Sequence, residues 1–352
     1  MIIRASCHHP FQWNCLLGVG VDRTLKLFGW RLKRGEKFLG QVKVAEFPDG
    51  TPVSIVVRAV CGSGDGPTIS MLGVQHGDEY SGMEIINRLI DETIPAEIAG
   101  SIVAIPVANP LAFNVAGRMA PESMGYENLN MNRVWTGDRG GLLTARIAAA
   151  IWENVILGSD YVIDFHEGGK AFVARYIHAR DTPEVYKKIG DGIEKLYRLF
   201  GQGIPVLGGV GTRGSMLGSL SVQAGLMGIP CIGPELGGGG RIWEEHVEMG
   251  VRGARNIMIG LDMLQREPIG AHLRQVVVED STWPKTEHGG VIYNVCELGD
   301  EIVEGEELGV LKDTAGRTLE KIRAPYDSII LDIRHLPTIY PGDWTYHCGK
   351  LR

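Results

Sequence analysis

Three short apolar runs in this chain stop at residues that bind metals or move protons. Ile69, Met71, Leu72 and Val74 lead into Gln75-His76-Gly77-Asp78-Glu79; Tyr161 to Phe165 ends in His166-Glu167-Gly168-Gly169; Ile229 to Ile232 ends in Gly233-Pro234-Glu235. Between and after them lie stretches of helical period, through Met83, Ile86, Leu89 and Ile90, through Leu143, Ile147, Ile151 and Val155, through Val185, Ile189, Ile193, Leu196 and Phe200, and from His246 to Leu264. Strands and helices alternating at this rhythm imply an α/β domain with a largely parallel sheet, reaching to about residue 268. In open α/β sheets ligands bind in the crevice beyond the carboxyl ends of the strands, where these His and Glu residues stand.

Around this frame the remaining pattern is simpler. Alternation through Val42, Val44, Ile55, Val57 and Ala59, broken at Pro48-Asp49-Gly50, reads as a β-hairpin. Gly62 to Pro67 reads as a loop that precedes a strand instead of opening a helix, which excludes a phosphate-binding loop. Ser101 to Val107 reads as a further strand, and Leu111 to Gly141 as a long polar loop of the functional kind, carrying Arg118 and Asn128-Leu129-Asn130-Met131-Asn132-Arg133. Beyond Pro268 short apolar segments alternate with Gly-Asp, Glu-Gly, Ala-Gly and Pro-Gly turns, the pattern of an all-β module. The first 35 residues show little periodicity, and their His8 and His9 read as part of an irregular terminus without function. The expected division is therefore an extension over 1–36, a hydrolase-type α/β domain over 37–268 and an all-β domain over 269–352.

Composition narrows the function classes. With 352 residues the chain suits two or three domains of about 100–200 residues each. A net charge of −7 without any lysine or arginine run argues against nucleic acid, while leaving an anionic substrate open. The cysteines at 7, 15, 61, 231, 296 and 348 form no C-x-x-C pair, which argues against a thiolate zinc site and fits reduced thiols. No window approaches the 18 or so apolar residues of a membrane span, and no signal peptide is evident. The expectation is a cytoplasmic protein without a membrane partner; a homo-oligomer is neither indicated nor excluded.

A catalytic zinc takes three protein ligands and keeps a fourth position for water. His76, Glu79 and His166 supply two imidazoles and a carboxylate, while Asp78 reads as a cap for the following helix and not as a fourth ligand. A second carboxylate near the metal can accept a proton and return it to the leaving group. Glu235 suits that role better than Glu167, because Glu167 adjoins His166 and successive strand residues point oppositely. Asp164, two residues before His166, is either a partner that orients an imidazole or half of a strand-end salt bridge. Arg118 and Arg133 are candidates for two jobs, facing the charge that develops on an amide carbonyl and gripping a substrate carboxylate, with Asn132 as a donor alongside.

These residues stand in a familiar order. His76-Gly77-Asp78-Glu79, Asn109-Pro110 with Arg118, Asn130-Met131-Asn132-Arg133, Asp164-Phe165-His166 and Pro234-Glu235-Leu236-Gly237-Gly238 resemble the motifs of the succinylglutamate desuccinylase/aspartoacylase family, relatives of the zinc carboxypeptidases. The resemblance runs from about residue 40 to the C-terminus. It implies a zinc-carboxypeptidase-like mixed, largely parallel sheet flanked by helices, and one Zn2+ per chain on His76, Glu79 and His166. It further implies Glu235 as general base and then acid, Arg118 polarising the scissile carbonyl, and Asn132 and Arg133 holding the substrate carboxylate. The reaction it implies is deacylation of a small N-acyl amino acid. Val134-Trp135 stands where the family usually has an aromatic directly after the Asn-Arg pair. The C-terminal module resembles a barrel-sandwich domain of the biotinyl/lipoyl type through Gly299 to Gly305, Ala324 to Ser328 and Tyr340 to Asp343, but Lys312 is misplaced for a carrier lysine. A structural module that roofs the pocket is the expectation. The competing readings are a carboxypeptidase acting on peptides and a non-catalytic, metal-binding regulatory protein.

Overall fold

A computed structural model of the chain describes residues 2–7, 24–121, 130–211 and 217–351. His8, His9, Asn128 and Leu129 lie outside the described residues. In chain order, β1 (Ile2–Cys7) is followed by a small hairpin, β2 (Leu25–Leu27) and β3 (Trp30–Leu32), and by the long hairpin β4 (Glu36–Glu46) and β5 (Pro52–Cys61). Next come β6 (Gly64–Leu72), α1 (Ser81–Glu92), β7 (Ala99–Ile105), the short α2 (Pro110–Phe113), α3 (Leu143–Asn154) and β8 (Tyr161–Asp164). The α/β part ends with β9 (Phe172–His178), α4 (Pro183–Phe200), β10 (Val206–Leu207), α5 (Leu220–Leu226), β11 (Cys231–Gly238) and α6 (Glu244–Gly260).

The central strands β7, β6, β8 and β11 pair in parallel, and antiparallel strands flank them: β5 and β4 on one side, β9 on the other. The sheet is therefore mixed, and parallel where it carries the strand ends singled out above. Its strands read as continuous apolar runs because both faces are covered. Ile69, Ile102 and Ile163 face a layer built from α1, α4 and α6. Their neighbours Leu72, Val103 and Val162 face the opposite layer, with α3, Leu220 of α5 and the leucines of the β2–β3 hairpin. This is the period of two that a strand imposes.

Leu25, Leu27 and Leu32 are buried in that second layer, so the expectation of an irregular start fails for residues 24–35. The Gly62–Pro67 loop also proves shorter than expected: β6 already begins at Gly64, paired to Ala99, with a register shift before Thr68.

The C-terminal region is all-β: β12 (Val277–Val278), β13 (Ser281–Thr282), β14 (Gly290–Asn294), β15 (Glu301–Ile302), β16 (Glu307–Lys312), β17 (Thr318–Arg323), β18 (Ser328–Arg334), β19 (Thr338–Ile339) and β20 (Tyr346–Lys350). Four of these strands form a separate sheet in the order β17-β16-β14-β19. Others extend the main sheet: β18 pairs antiparallel with β9, β20 with β18 and β13 with β20. Among the described residues no helix is long and apolar enough to cross a membrane.

Candidate active site

The turn after β6 is built around an unusual backbone. Val74, fully buried and β-branched, adopts φ +54°, a left-handed conformation that costs a residue of its shape about 1–3 kcal/mol. Backbone bonds from Ala108 N to Gly73 O (2.9 Å) and from Asn109 N to Val74 O (3.0 Å) hold it there. A Cβ on Gly77 would run into the backbone of Ala112 and Phe113, so glycine lets α2 lie directly against the motif. The turn delivers His76 and Glu79, 3% and 2% exposed, into the interior.

Glu79 is shared between two imidazoles. Its Oε1 lies 2.8 Å from His76 Nδ1 and its Oε2 lies 2.7 Å from His166 Nδ1. The outer ring nitrogens face acceptors: His166 Nε2 is 3.1 Å from Asp164 Oδ2, and His76 Nε2 is 3.3 Å from Asn130 Oδ1. That Asn130 atom also accepts the Asn132 amide proton at 3.0 Å, which identifies it as the oxygen. A cation held by Nδ1 of both rings would leave their protons on the outer Nε2, facing these acceptors. Ligand atoms of His76, Glu79 and His166 converging within 4.8 Å make a cradle for a cation. Burial alone would raise the Glu79 carboxyl, but the histidines beside it, in their protonated forms, outweigh that and hold it well below the ordinary range. Burial lowers His76, favouring the neutral ring that a metal ligand needs, whereas Asp164 and Glu79 outweigh burial and raise His166.

Asp164 thus sits where an orienting partner would, and it is itself held. Its Oδ2 accepts Gln75 Nε2 at 2.6 Å, and Gln75 Oε1 accepts Trp135 Nε1 at 2.7 Å. The Glu167 carboxylate is occupied elsewhere: it accepts the amides of Tyr80 and Ser81, each at 2.9 Å, at the start of α1. A carboxylate is well placed against those unpaired amides. Burial nevertheless pushes the Glu167 carboxyl up to about 7. Asp78, read as a candidate helix cap from its position, does not cap: Tyr80 is the N-cap residue, and Asp78 Oδ2 accepts Lys170 N at 3.3 Å. The strand-end glutamate reaches the first amides of α1 and leaves Asp78 to the neighbouring loop.

A cavity of about 130 Å³ opens over the cluster. His76, Glu79, His166, Glu235, Arg118, Asn132 and Arg133 all border it. Arg118 Nη1 donates to Glu79 Oε1 at 2.8 Å while half of its side chain stays exposed. Asn132 Oδ1 accepts Leu220 N at 2.9 Å, and its Nδ2 lies 3.4 Å from His166 Nε2. Arg133 Nη1 donates to the Asn132 carbonyl at 2.5 Å. Glu235 pairs with His166 through a parallel bridge, and burial pushes its carboxyl well above the usual range. Four lining residues escaped the sequence reading: His178, Ser221, Cys231 and Gly233. His178 sits at the end of β9, a strand shortly after Gly168-Gly169; the buried Ala174 and Tyr176 alternating with Arg175 are its sequence signal. Every described residue of the lining lies between His76 and Glu235, so the C-terminal module contributes none of the described lining.

Comparison with known proteins agrees with this arrangement. A family model of the succinylglutamate desuccinylase/aspartoacylase catalytic domain matches residues 65–261, more than half of the chain. The chain is 25% identical over 302 residues to an N-alpha-acetyl-L-2,4-diaminobutyric acid deacetylase from Halomonas elongata, covering 83% of each sequence. Its fold resembles that of a succinylglutamate desuccinylase from Silicibacter sp. TM1040, with a TM-score of 0.76, 22% identity, and 89% of this chain and 93% of that one covered. It also resembles the ectoine utilization protein EutE (DoeB) from Ruegeria pomeroyi, with a TM-score of 0.75, 23% identity, and 90% and 95% covered. The order of motifs, the mixed sheet and the family match lead to one conclusion: the chain belongs to the succinylglutamate desuccinylase/aspartoacylase family of deacylases.

Proposed function

We propose that this protein is a zinc-dependent deacylase that hydrolyses the amide bond of a small N-acyl amino acid, with Glu235 as general base and then acid. The observation that carries the reading is the meeting, in one cavity, of the His76–Glu79–His166 cluster with the separate, partly buried carboxylate of Glu235. Two imidazoles and one carboxylate are a donor set that suits zinc and leaves a position open. Bound there, zinc supplies the positive charge that polarises an amide carbonyl and makes water acidic at neutral pH.

The chain's own groups supply the rest. Among the described residues no side chain hydrogen-bonds to Glu235, so its carboxylate is available to take a proton from water and pass it to the departing amine nitrogen. Arg118, anchored on Glu79, extends over the cavity and places a fixed cation where the carbonyl oxygen gains charge. Arg133, held by the Asn132 carbonyl, offers its remaining donors to the substrate carboxylate. Asn132 commits its oxygen to Leu220 N, which leaves its Nδ2 beside the cavity as a hydrogen-bond donor to the substrate. We further propose 37–268 and 269–352 as the functional units, with 1–36 an extension whose residues 24–35 pack on the first.

The Halomonas relative's name directs the first assay toward N-acetyl amino acids that carry a side-chain amine, with acetylaspartate, succinylglutamate and dipeptides beside them. Glu235→Gln is expected to lower turnover by about 10²-fold or more with zinc content unchanged, and chelation is expected to abolish activity until zinc is restored. Undiminished hydrolysis by Glu235→Gln, or by metal-free protein, would remove the mechanism; dipeptide hydrolysis above acyl-amino-acid hydrolysis would move the protein to the peptidases.

A further inference from the structure

β9 carries a residue that neither the metal cluster nor the cavity lining accounts for. Tyr176 stands directly opposite Glu235 in the antiparallel β9–β11 register, so the two side chains project side by side from one face of the sheet. Tyr176 is 7% exposed, and its ring belongs to an apolar cluster with Leu207, Val278, Ile329 and Leu331, the last three from the C-terminal module.

The same face continues into that module. Asp332 of β18 pairs with Ala174, two residues along β9 from Tyr176, and His347 of β20 pairs with Asp332. The His347 ring meets the Tyr176 ring edge to face, centroids 5.3 Å apart at 81°. His347 cannot swing away: Nδ1 is 2.8 Å from Asp332 Oδ2, Nε2 is 2.9 Å from Ser281 Oγ, and Trp283 stacks on the ring at 4.4 Å and 10°. Trp344 stacks in turn on Trp283 at 5.2 Å.

The Ser281–His347–Asp332 bonds use the same atoms as a nucleophilic triad. Two features oppose that role. The Ser281 amide, a natural oxyanion donor, is taken by Asp280 Oδ1 at 2.9 Å, and His347 is 3% exposed beneath Trp283. What the bonds do provide is a rigid prop.

We infer that Tyr176 is a positioning residue for Glu235, and that the C-terminal module acts on the reaction through it, with His347 clamped by Asp332, Ser281 and Trp283 bracing the Tyr176 ring beside the carboxylate. The inference rests on the reading of Glu235 as the base. The module works from beside the catalytic carboxylate, not from above the cavity. Substrate is held by other residues, so losing the brace displaces the base without weakening binding. A displacement of about 1 Å is enough to cost up to about 10²-fold in rate.

Steady-state kinetics on the best acyl-amino-acid substrate, with zinc content measured for each variant, tests this. Tyr176→Leu and His347→Ala are expected to lower kcat by about 10- to 100-fold with KM within about twofold of the parent and full zinc. Tyr176→Phe, which keeps the ring, is expected to recover most of kcat. If Tyr176→Leu does not fold, His347→Ala and the size-conserving Asp332→Asn carry the test alone. Parent-like kcat in both of those, a rise in KM that matches the fall in kcat, or loss of zinc would overturn the inference. So would labelling of Ser281 by a fluorophosphonate, because that would make the prop a nucleophilic site. An active Glu235→Gln would instead overturn the reading of the base, and the two failures are told apart in one set of assays.

Discussion

Both oxygens of Glu79 face imidazole nitrogens, and the outer nitrogens of those rings face Asp164 and Asn130. Asp164 therefore matters through His166: it decides which nitrogen carries the proton. Asp164→Ala is expected to weaken zinc binding by about 10- to 100-fold, read by competition with a chelating dye. The His178 imidazole gives a second test at this scale. Burial first, then the charge of His166, pushes its pKa down to about 4. Its folded pKa lies below its unfolded value of about 6.5, so the associated stability is complete above pH 6.5 and is lost as pH falls toward 4. The loss by pH 5 is about 2 kcal/mol at most, because the side chain is only partly covered. Thermal melts between pH 7.5 and 5 should show a shallower decline for His178→Gln than for the parent protein; parallel curves would refute the assignment.

At the scale of elements, the strand ends and helices were legible because period and punctuation agreed. The 3.6-residue pattern beginning at Pro183 matches α4, and the Pro48–Gly50 break falls in the β4–β5 turn. The cluster of His76, Glu79 and His166 was legible because each residue follows an apolar run. What stayed hidden depended on long-range pairing. β9 is a seven-residue strand that antiparallel neighbours on both sides define, and Glu167 finds the amides of α1 only once β8 and the motif lie side by side. Asp78, chosen as a cap from sequence position alone, lost to that tertiary contact. The packing of α2 on Gly77 gives an element-level prediction. Gly77→Ala would force a methyl group into the Ala112–Phe113 backbone, and is expected to destabilise the fold by about 1–3 kcal/mol, seen as a lowered melting temperature. An unchanged melting temperature would show that α2 is free to shift.

For the whole molecule, the main sheet passes through β9 into the C-terminal strands without interruption. A chain ending at residue 268 would expose the β9 edge together with the apolar cluster around Tyr176. Such an edge is a template for aggregation. The truncated protein is expected in the insoluble fraction at the expression level where the full chain is soluble; a soluble, zinc-loaded 1–268 fragment would contradict this. Because β9 hydrogen-bonds to β11 on one side and β18 on the other, neither neighbour can melt without releasing it. Calorimetry should then record a single endotherm, and hydrogen–deuterium exchange should find the β9 amides among the slowest in the molecule, opening only when the entire sheet comes apart.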